Sequence, residues 1–459
     1  MRTPPPGAYY ERFGIGPCEP PERGIAGVTR HPRRLDFPLD TPEGMQWIYQ
    51  GGVPLQLSPT RAGLMAHIRV GRSPIVDLEE GTDMVLFDRI EDIHPRNAVP
   101  VSRLAEADHP RTGERLYMVT GTTGTFIPLG ARRPDGSPHP HAGTGFDCTL
   151  VMGYPKSLAQ KKDTHLDLKS DVHSFVRILQ FAYDGRTFRV TDRQDVPHEA
   201  VLPGFRVIEH GWSEGVPSGD DLLFGLSTGG INDWDSGIAR WRRGADGRWG
   251  IVDYRVVAPH TMEPTLIRDG DGSLLMAFRP WMPTNPRPVS MDVYRSTDEG
   301  ETWQVVIPHD KFCFGAPVML NKAADGTPYI VTNRYREPVA NRFAKREMIW
   351  LWPLSEDRRS LLDPIVVRDG TSEFGPAPNG TPWRMDHPFG RTVRLADKRW
   401  HHLICYRALE DAEMRTNAGA TPFTGTYVEE LFTTGPDVPP WNFGTKDGNG
   451  ESRELRTEN

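Results

Sequence analysis

Residues 260–307 hold four strand-like runs in a single stretch: PTLIR and SLLMAFR, then SMDVYRS beyond a proline-rich loop, then WQVVI. The first two are joined by Asp269-Gly270-Asp271-Gly272, a turn whose Gly and Asp residues tolerate the positive φ that tight hairpins need. A small sheet of this size cannot bury both of its faces alone and has to stack against similar sheets. Looser echoes of the same order run over 205–257, 315–367 and 386–432, and residues 50–200 have to supply two or three further units. The spacing predicts an all-β fold, a six- or seven-bladed β-propeller of four-stranded antiparallel blades, with seven favoured. Residues 1–45 read as an irregular N-terminal arm, 46–435 as one propeller domain and 436–459 as a polar C-terminal tail, with the first and last segments closing the ring together.

Composition agrees with short strands and narrows the partners. Forty-six glycines and 43 prolines interrupt the chain too often for long helices, while 12 Trp, 12 Tyr and 19 Phe supply core bulk. A formal charge of −7 offers no general attraction for nucleic acid or an anionic membrane surface. No apolar run approaches the ~20 residues that span a bilayer, and the N-terminus lacks the apolar stretch of a secretory signal, so a cytoplasmic protein is expected unless a leader was removed. Cys18, Cys148, Cys313 and Cys405 form no CxxC pair, and three of them lie in apolar runs, which suits reduced, structural thiols.

The octapeptide from Ser296 to Trp303, STDEGETW, matches the S-x-D-x-G-x-T-W pattern called the Asp box. It resembles the turn typical of sialidases and other bacterial-neuraminidase-repeat propellers. Its work is local: Asp298 bonds backbone N–H groups, Gly300 takes a left-handed conformation, and Trp303 packs between strands. In that sialidase-like pattern, residues just before a blade's first strand and just after its second face the axis. Glu263, preceded by His260, has the first position and Arg279 the second. The resemblance therefore implies a Glu that partners a nucleophile and an Arg that grips a substrate carboxylate. The next blade offers Arg334, Tyr335 and Arg336, and the last offers His387 and Arg391. Where sialidases open their final blade with a nucleophilic Tyr, this chain has Asp386-His387-Pro388-Phe389-Gly390.

His141, His210, His260 and His387 each immediately precede a predicted inner strand, which would bring imidazoles to one end of the channel, where they can carry protons. Several arginines converging there suit a carboxylate, because the guanidinium fork holds two oxygens at once. The chain thus resembles, in residue classes, the propeller polysaccharide lyases that act on ulvan or rhamnose–glucuronate linkages. That implies β-elimination from an acidic, uronate-containing oligosaccharide or polysaccharide. Arg279 and Arg334, with Arg336, Arg391 and His210, would bind the substrate, His141 or His260 would be the base, and Tyr335 or a second His the acid, with His387 a further catalytic candidate. The alternatives are a sialidase-like exo-glycoside hydrolase built on Glu263 and a non-catalytic carbohydrate-binding propeller. No cofactor is required by this chemistry. The HPHAG stretch around His139 and His141 leaves room for a divalent metal, because His residues two apart on an extended strand point the same way, with His165, His173 or Glu263 as a third ligand.

Overall fold

In the computed structural model the described residues are 33–34, 46–71, 78–103, 116–132, 135–155, 173–197, 207–210, 215–230, 233–280, 292–308, 318–322, 327–334, 346–362, 365–370, 383–410 and 425–434. Among them six antiparallel sheets form the blades of a propeller. The first holds β2 (Gln46–Ser58), β3 (Arg61–Gly71), β4 (Leu78–Phe87) and β5 (Ala98–Arg103). The second holds β6 (Leu116–Ile127), β7 (Thr144–Pro155), β8 (His173–Tyr183) and β9 (Phe188–Pro197). In the third, two short pieces, β10 (Val207–His210) and β11 (Val216–Ser218), pair with β12 (Asp221–Gly230), followed by β13 (Asp233–Arg243) and β14 (Trp249–Pro259).

The fourth blade holds β15 (Thr261–Arg268), β16 (Leu274–Pro280), β17 (Val293–Ser296) and β18 (Gln304–Ile307), and the fifth β19 (Met319–Lys322), β20 (Pro328–Arg334), β21 (Met348–Pro353) and β22 (Ile365–Asp369). The sixth is β23 (Trp383–Arg394), β24 (Trp400–Glu410) and β25 (Gly425–Thr434), completed on its outer edge by β1 (Arg33–Arg34). An N-terminal strand on the last sheet closes the ring and covers an edge that would otherwise template aggregation. Part of the expected irregular arm is therefore a structural strand.

The blade count is six rather than the favoured seven. Residues 46–197 make two blades because their strands are long: β2 runs 13 residues, β3 11 and β6 12. The β2–β3 turn, Pro59-Thr60, carries none of the Gly/Asp signal that marks hairpins elsewhere in the chain.

First strands touch in cyclic order, β2 with β6, β6 with β10, β10 with β15, β15 with β19, β19 with β23, and β23 with β2. They therefore line the axis. Each first strand runs from the end of the ring called upper here to the lower end, and each second strand returns. The core lies between blades. Leu275, Ala277, Val293 and Ile307 of the fourth pack on Val318, Leu320, Ile330 and Trp350 of the fifth, and Val393, Leu403 and Cys405 of the sixth pack on Ala62, Leu64 and Val85 of the first. Cys405 is buried and outside any disulfide, as expected, whereas Cys18 and Cys313 lie outside the described residues. No helix among the described residues is long and apolar enough to cross a membrane.

The STDEGETW turn joins β17 to β18 at the lower end. Ser296 Oγ donates to Asp298 Oδ1 at 2.7 Å, and the amides of Gly300 and Thr302 donate to Ser296 Oγ and Asp298 Oδ1, both at 2.9 Å or close to it. The Thr302 hydroxyl, above all, holds the Asp298 carboxyl down at about 2. Gly300 has φ +88, and a Cβ there would stand 2.9 Å from Ile238 Cδ1. Gly300→Ala is expected to lower the unfolding free energy by about 1–3 kcal/mol. Gly270, whose added Cβ would meet nothing within 4 Å, should accept Ala without loss. Urea titration of the two variants makes the comparison, and equal stabilities would contradict it.

Candidate functional site

The upper end of the axis is shaped by bulges in the first strands. In β15 the register jumps from Met262↔Arg279 to Thr265↔Ala277, leaving Glu263 and Pro264 against one residue of β16. In β23 it jumps from Asp386↔Arg407 to Phe389↔Cys405, around His387 and Pro388. In β2 it jumps from Tyr49↔Ile68 to Gly52↔Ala66, around Gln50 and Gly51. A bulge turns a side chain out of the regular alternation, and such kinks recur beside functional sites. Glu263 and His387 thus hold matching register positions in two blades, each followed by a proline that donates no backbone hydrogen bond.

Glu263 is the best defined of these residues. Its φ is +49, a conformation that costs a non-glycine residue about 1–3 kcal/mol and persists only where the surroundings enforce it. It is 5% exposed, and its Oε2 accepts a hydrogen bond from Arg279 Nη1 at 2.7 Å. Arg279 comes from the return strand β16, whose backbone pairs at Met262, so one hairpin supplies both charges. A carboxylate this deeply placed needs a charged, hydrogen-bonded partner. His260 stands above it on the rim, exposed, with φ +55 and its N–H donating to Asp235 Oδ1 at 3.1 Å.

Other expected site residues fall elsewhere. Arg334 ends β20, opposite Met348 of the third strand of its blade. His210 ends β10, opposite Leu226, within the first strand rather than ahead of it. Tyr335 and Arg336 lie outside the described residues, as does His165. His141 is not at this end of the ring. It precedes β7, the second strand of its blade, so its turn is at the lower end, where its ring sits 5.3 Å from that of Trp249 and 6.2 Å from that of Phe146. At 9% exposure it is an aromatic packing residue. Arg391 lies well down β23, opposite Leu403, where burial pushes its guanidinium down to about 9.

The extended-strand geometry behind the metal reading is absent. His139 and His141 occupy a turn in which the His141 amide donates to His139 Nδ1 at 3.1 Å. Among the described residues no three His, Cys, Asp or Glu side chains are grouped to hold an ion. The Tyr missing from the last blade is not replaced by Tyr254, whose hydroxyl faces Thr228 Oγ1 at 3.0 Å and is pushed by burial up to about 12.

The chain is similar to solved structures at low identity. An uncharacterised protein from Dyadobacter fermentans shares 10% identity over 88% of this chain and 99% of its own, with a TM-score of 0.48. An α-L-arabinofuranosidase from Fusarium graminearum shares 10% over 87% of this chain and 97% of its own, at 0.45. A neuraminidase-like protein of A/little yellow-shouldered bat/Guatemala shares 8% over 84% and 97%, at 0.41. No protein-family model and no curated protein matches the chain.

Residues that sequence reasoning did not single out shape the same end. Ser227 and Ser236, both fully buried, lie against the Glu263 bulge, with the Glu263 amide donating to Ser227 Oγ at 2.8 Å. Farther down the ring, His402 of β24 joins Tyr329 of β20 and Thr392 of β23 in a buried chain of hydrogen bonds. The first signal was a plain LST in a strand; the second was a pair of histidines inside an apolar run.

Proposed function

We propose that the protein is a glycan-processing enzyme that works as an exo-glycoside hydrolase at the upper end of its axis, with Glu263 as the essential carboxylate. The observation that carries this reading is the Glu263 geometry: a strained, nine-tenths buried acid on an axial strand, clasped by Arg279 at 2.7 Å. Strain and a buried charge are both costly, and sites that keep both tend to be working ones. With no Tyr at the opening of the last blade, a direct displacement by water fits the residues. Glu263 takes a proton as water attacks the anomeric carbon, the glycosidic C–O bond breaks, and the leaving oxygen receives a proton from the His387 imidazolium at the matching bulge. Arg334, at the end of the second strand of the next blade, adds a second guanidinium-bearing position, which favours a terminal sugar that carries a carboxylate.

Elimination is the weaker reading, because one of its two favoured bases, His141, belongs to the lower end, the other, His260, stands exposed on the rim, and Arg279 is engaged by Glu263. A panel of neutral, sialic-acid and uronic-acid oligosaccharides followed by mass spectrometry and ultraviolet absorbance tests the choice. Products that gain the mass of water support hydrolysis. An ultraviolet-absorbing unsaturated uronate with no such gain would make the enzyme a lyase, and saturable binding without product would make it a lectin.

A further inference from the structure

The β15–β16 register skips both Glu263 and Pro264, so the backbone of the bulge is paired with no residue of β16. Its partner is the neighbouring blade. Gly225 and Ser227 are two apart on β12 and so share a face. A Cβ at Gly225 would come within 3.0 Å of Pro264, so the absence of a side chain there admits the proline ring. Two residues on, Ser227 Oγ takes the Glu263 amide at 2.8 Å. Ser227 is itself held: its Oγ lies 3.2 Å from Ser236 Oγ on β13, and both side chains are fully buried. A buried amide without an acceptor is costly, and a hydroxyl that accepts from it while exchanging a second bond with a neighbour has little freedom to turn.

We propose that the Ser227–Ser236 hydroxyl pair is the positioning device of the site: it holds the Glu263 amide, fixes the left-handed backbone there, and thereby sets where the carboxylate stands on the axis. The assignment rests on the reading of Glu263 as the essential acid, yet its geometric half stands without that reading. Ser227 touches no reacting atom and acts through Glu263.

The test compares the parent with Ser227→Ala, Ser236→Ala and Ser227→Thr, the last keeping a hydroxyl. Amide hydrogen exchange at Glu263 reads the geometry, and kinetics on the substrate found in the panel read the consequence. In Ser227→Ala the Glu263 amide should exchange at least about tenfold faster, and kcat should fall by about tenfold to a hundredfold with KM within about twofold, as misplaced reacting groups lose rate before affinity. Ser236→Ala should show the same changes more weakly, and Ser227→Thr should restore both where it folds. Should Ser227→Ala be too unstable to assay, Ser236→Ala carries the comparison, because it leaves the direct contact in place. Unchanged exchange and unchanged kcat in both alanine variants overturn the proposal. Faster exchange with full turnover, in a protein whose Glu263→Gln variant is also active, upholds the positioning and removes the catalytic reading instead.

Discussion

Glu263→Gln is expected to lower kcat by about a hundredfold to ten-thousandfold, the range over which a positioned acid–base group contributes. The amide keeps the size and one hydrogen-bonding oxygen of the carboxylate, so the bulge and its contact with Ser227 persist. What it loses is the ability to take a proton and the charge that Arg279 answers. Breaking a fully buried pair from one side costs about 3–5 kcal/mol, but Arg279 is 22% exposed, so water compensates part of the loss and the variant should remain folded. Thermal unfolding beside steady-state kinetics separates the two effects. A kcat within about twofold of the parent, in a folded variant, would take Glu263 out of the chemistry.

The fold was legible where turns announce themselves. Asp269-Gly270-Asp271-Gly272 and the Ser296–Trp303 turn mark the fourth blade, and the observed strands span Thr261 to Ile307, against an expected 260–307. The fifth blade hid a second turn of the same kind. Ser355 Oγ donates to Asp357 Oδ1 at 2.7 Å and accepts from the amides of Arg359 and Ser360, and Arg358 takes φ +59 where Glu299 takes +57. The Gly and Trp that make the pattern visible are replaced, so geometry survived while the motif did not. The first two blades escaped a correct count because long strands and a Pro-Thr turn give hydrophobic alternation without punctuation.

The site was legible through one rule, that residues at the start of a first strand and the end of a second meet at the same end of the ring. The rule brings Glu263 and Arg279 together at one end of the ring and does not hold for His141, whose following strand β7 is the second of its blade. Reading a strand's rank within its blade requires the blade boundaries, and these were clear only after residue 205. The contacts that give the site its shape were out of reach for another reason. Ser227 meets Glu263 across 36 residues and Tyr329 meets His402 across 73, between blades, and hydrophobic pattern carries no information about which polar side chains will face each other across such a junction.

That junction sets the second large expectation, a stability maximum near pH 6.5, the ordinary pKa of imidazole. His401 and His402 are neighbours on β24 and face opposite ways. Thr392 Oγ1 donates to the Lys322 carbonyl at 3.2 Å, so it accepts from His402 Nδ1–H at 2.7 Å, and the bare Nε2 accepts from the Tyr329 hydroxyl. Every bond in this chain asks for the neutral ring. Burial, helped by the nearby Arg391 charge, pushes His402 down to about 3. Below pH 6.5 the unfolded chain therefore takes up a proton that the folded one refuses, and stability falls by up to about 1.4 kcal/mol for each further pH unit.

His401 behaves in the opposite sense. Both of its ring nitrogens face carboxylates, Glu430 at 2.5 Å and Asp397 at 3.1 Å, and only the imidazolium can donate to both. Although burial opposes it, these partners raise its pKa, so its contribution is complete below 6.5 and is lost as pH climbs through the raised value. Urea unfolding between pH 5 and 8 should show both limbs. His402→Ala should cost about 2–5 kcal/mol at pH 7, since it opens a cavity and strips the Tyr329 hydroxyl of its acceptor. Tyr329→Phe combined with His402→Leu removes both polar groups together, so it should recover much of that loss and flatten the acid limb, while His401→Gln flattens the alkaline one. An acid limb of unchanged slope in the double variant would mean that some group other than His402 refuses the proton.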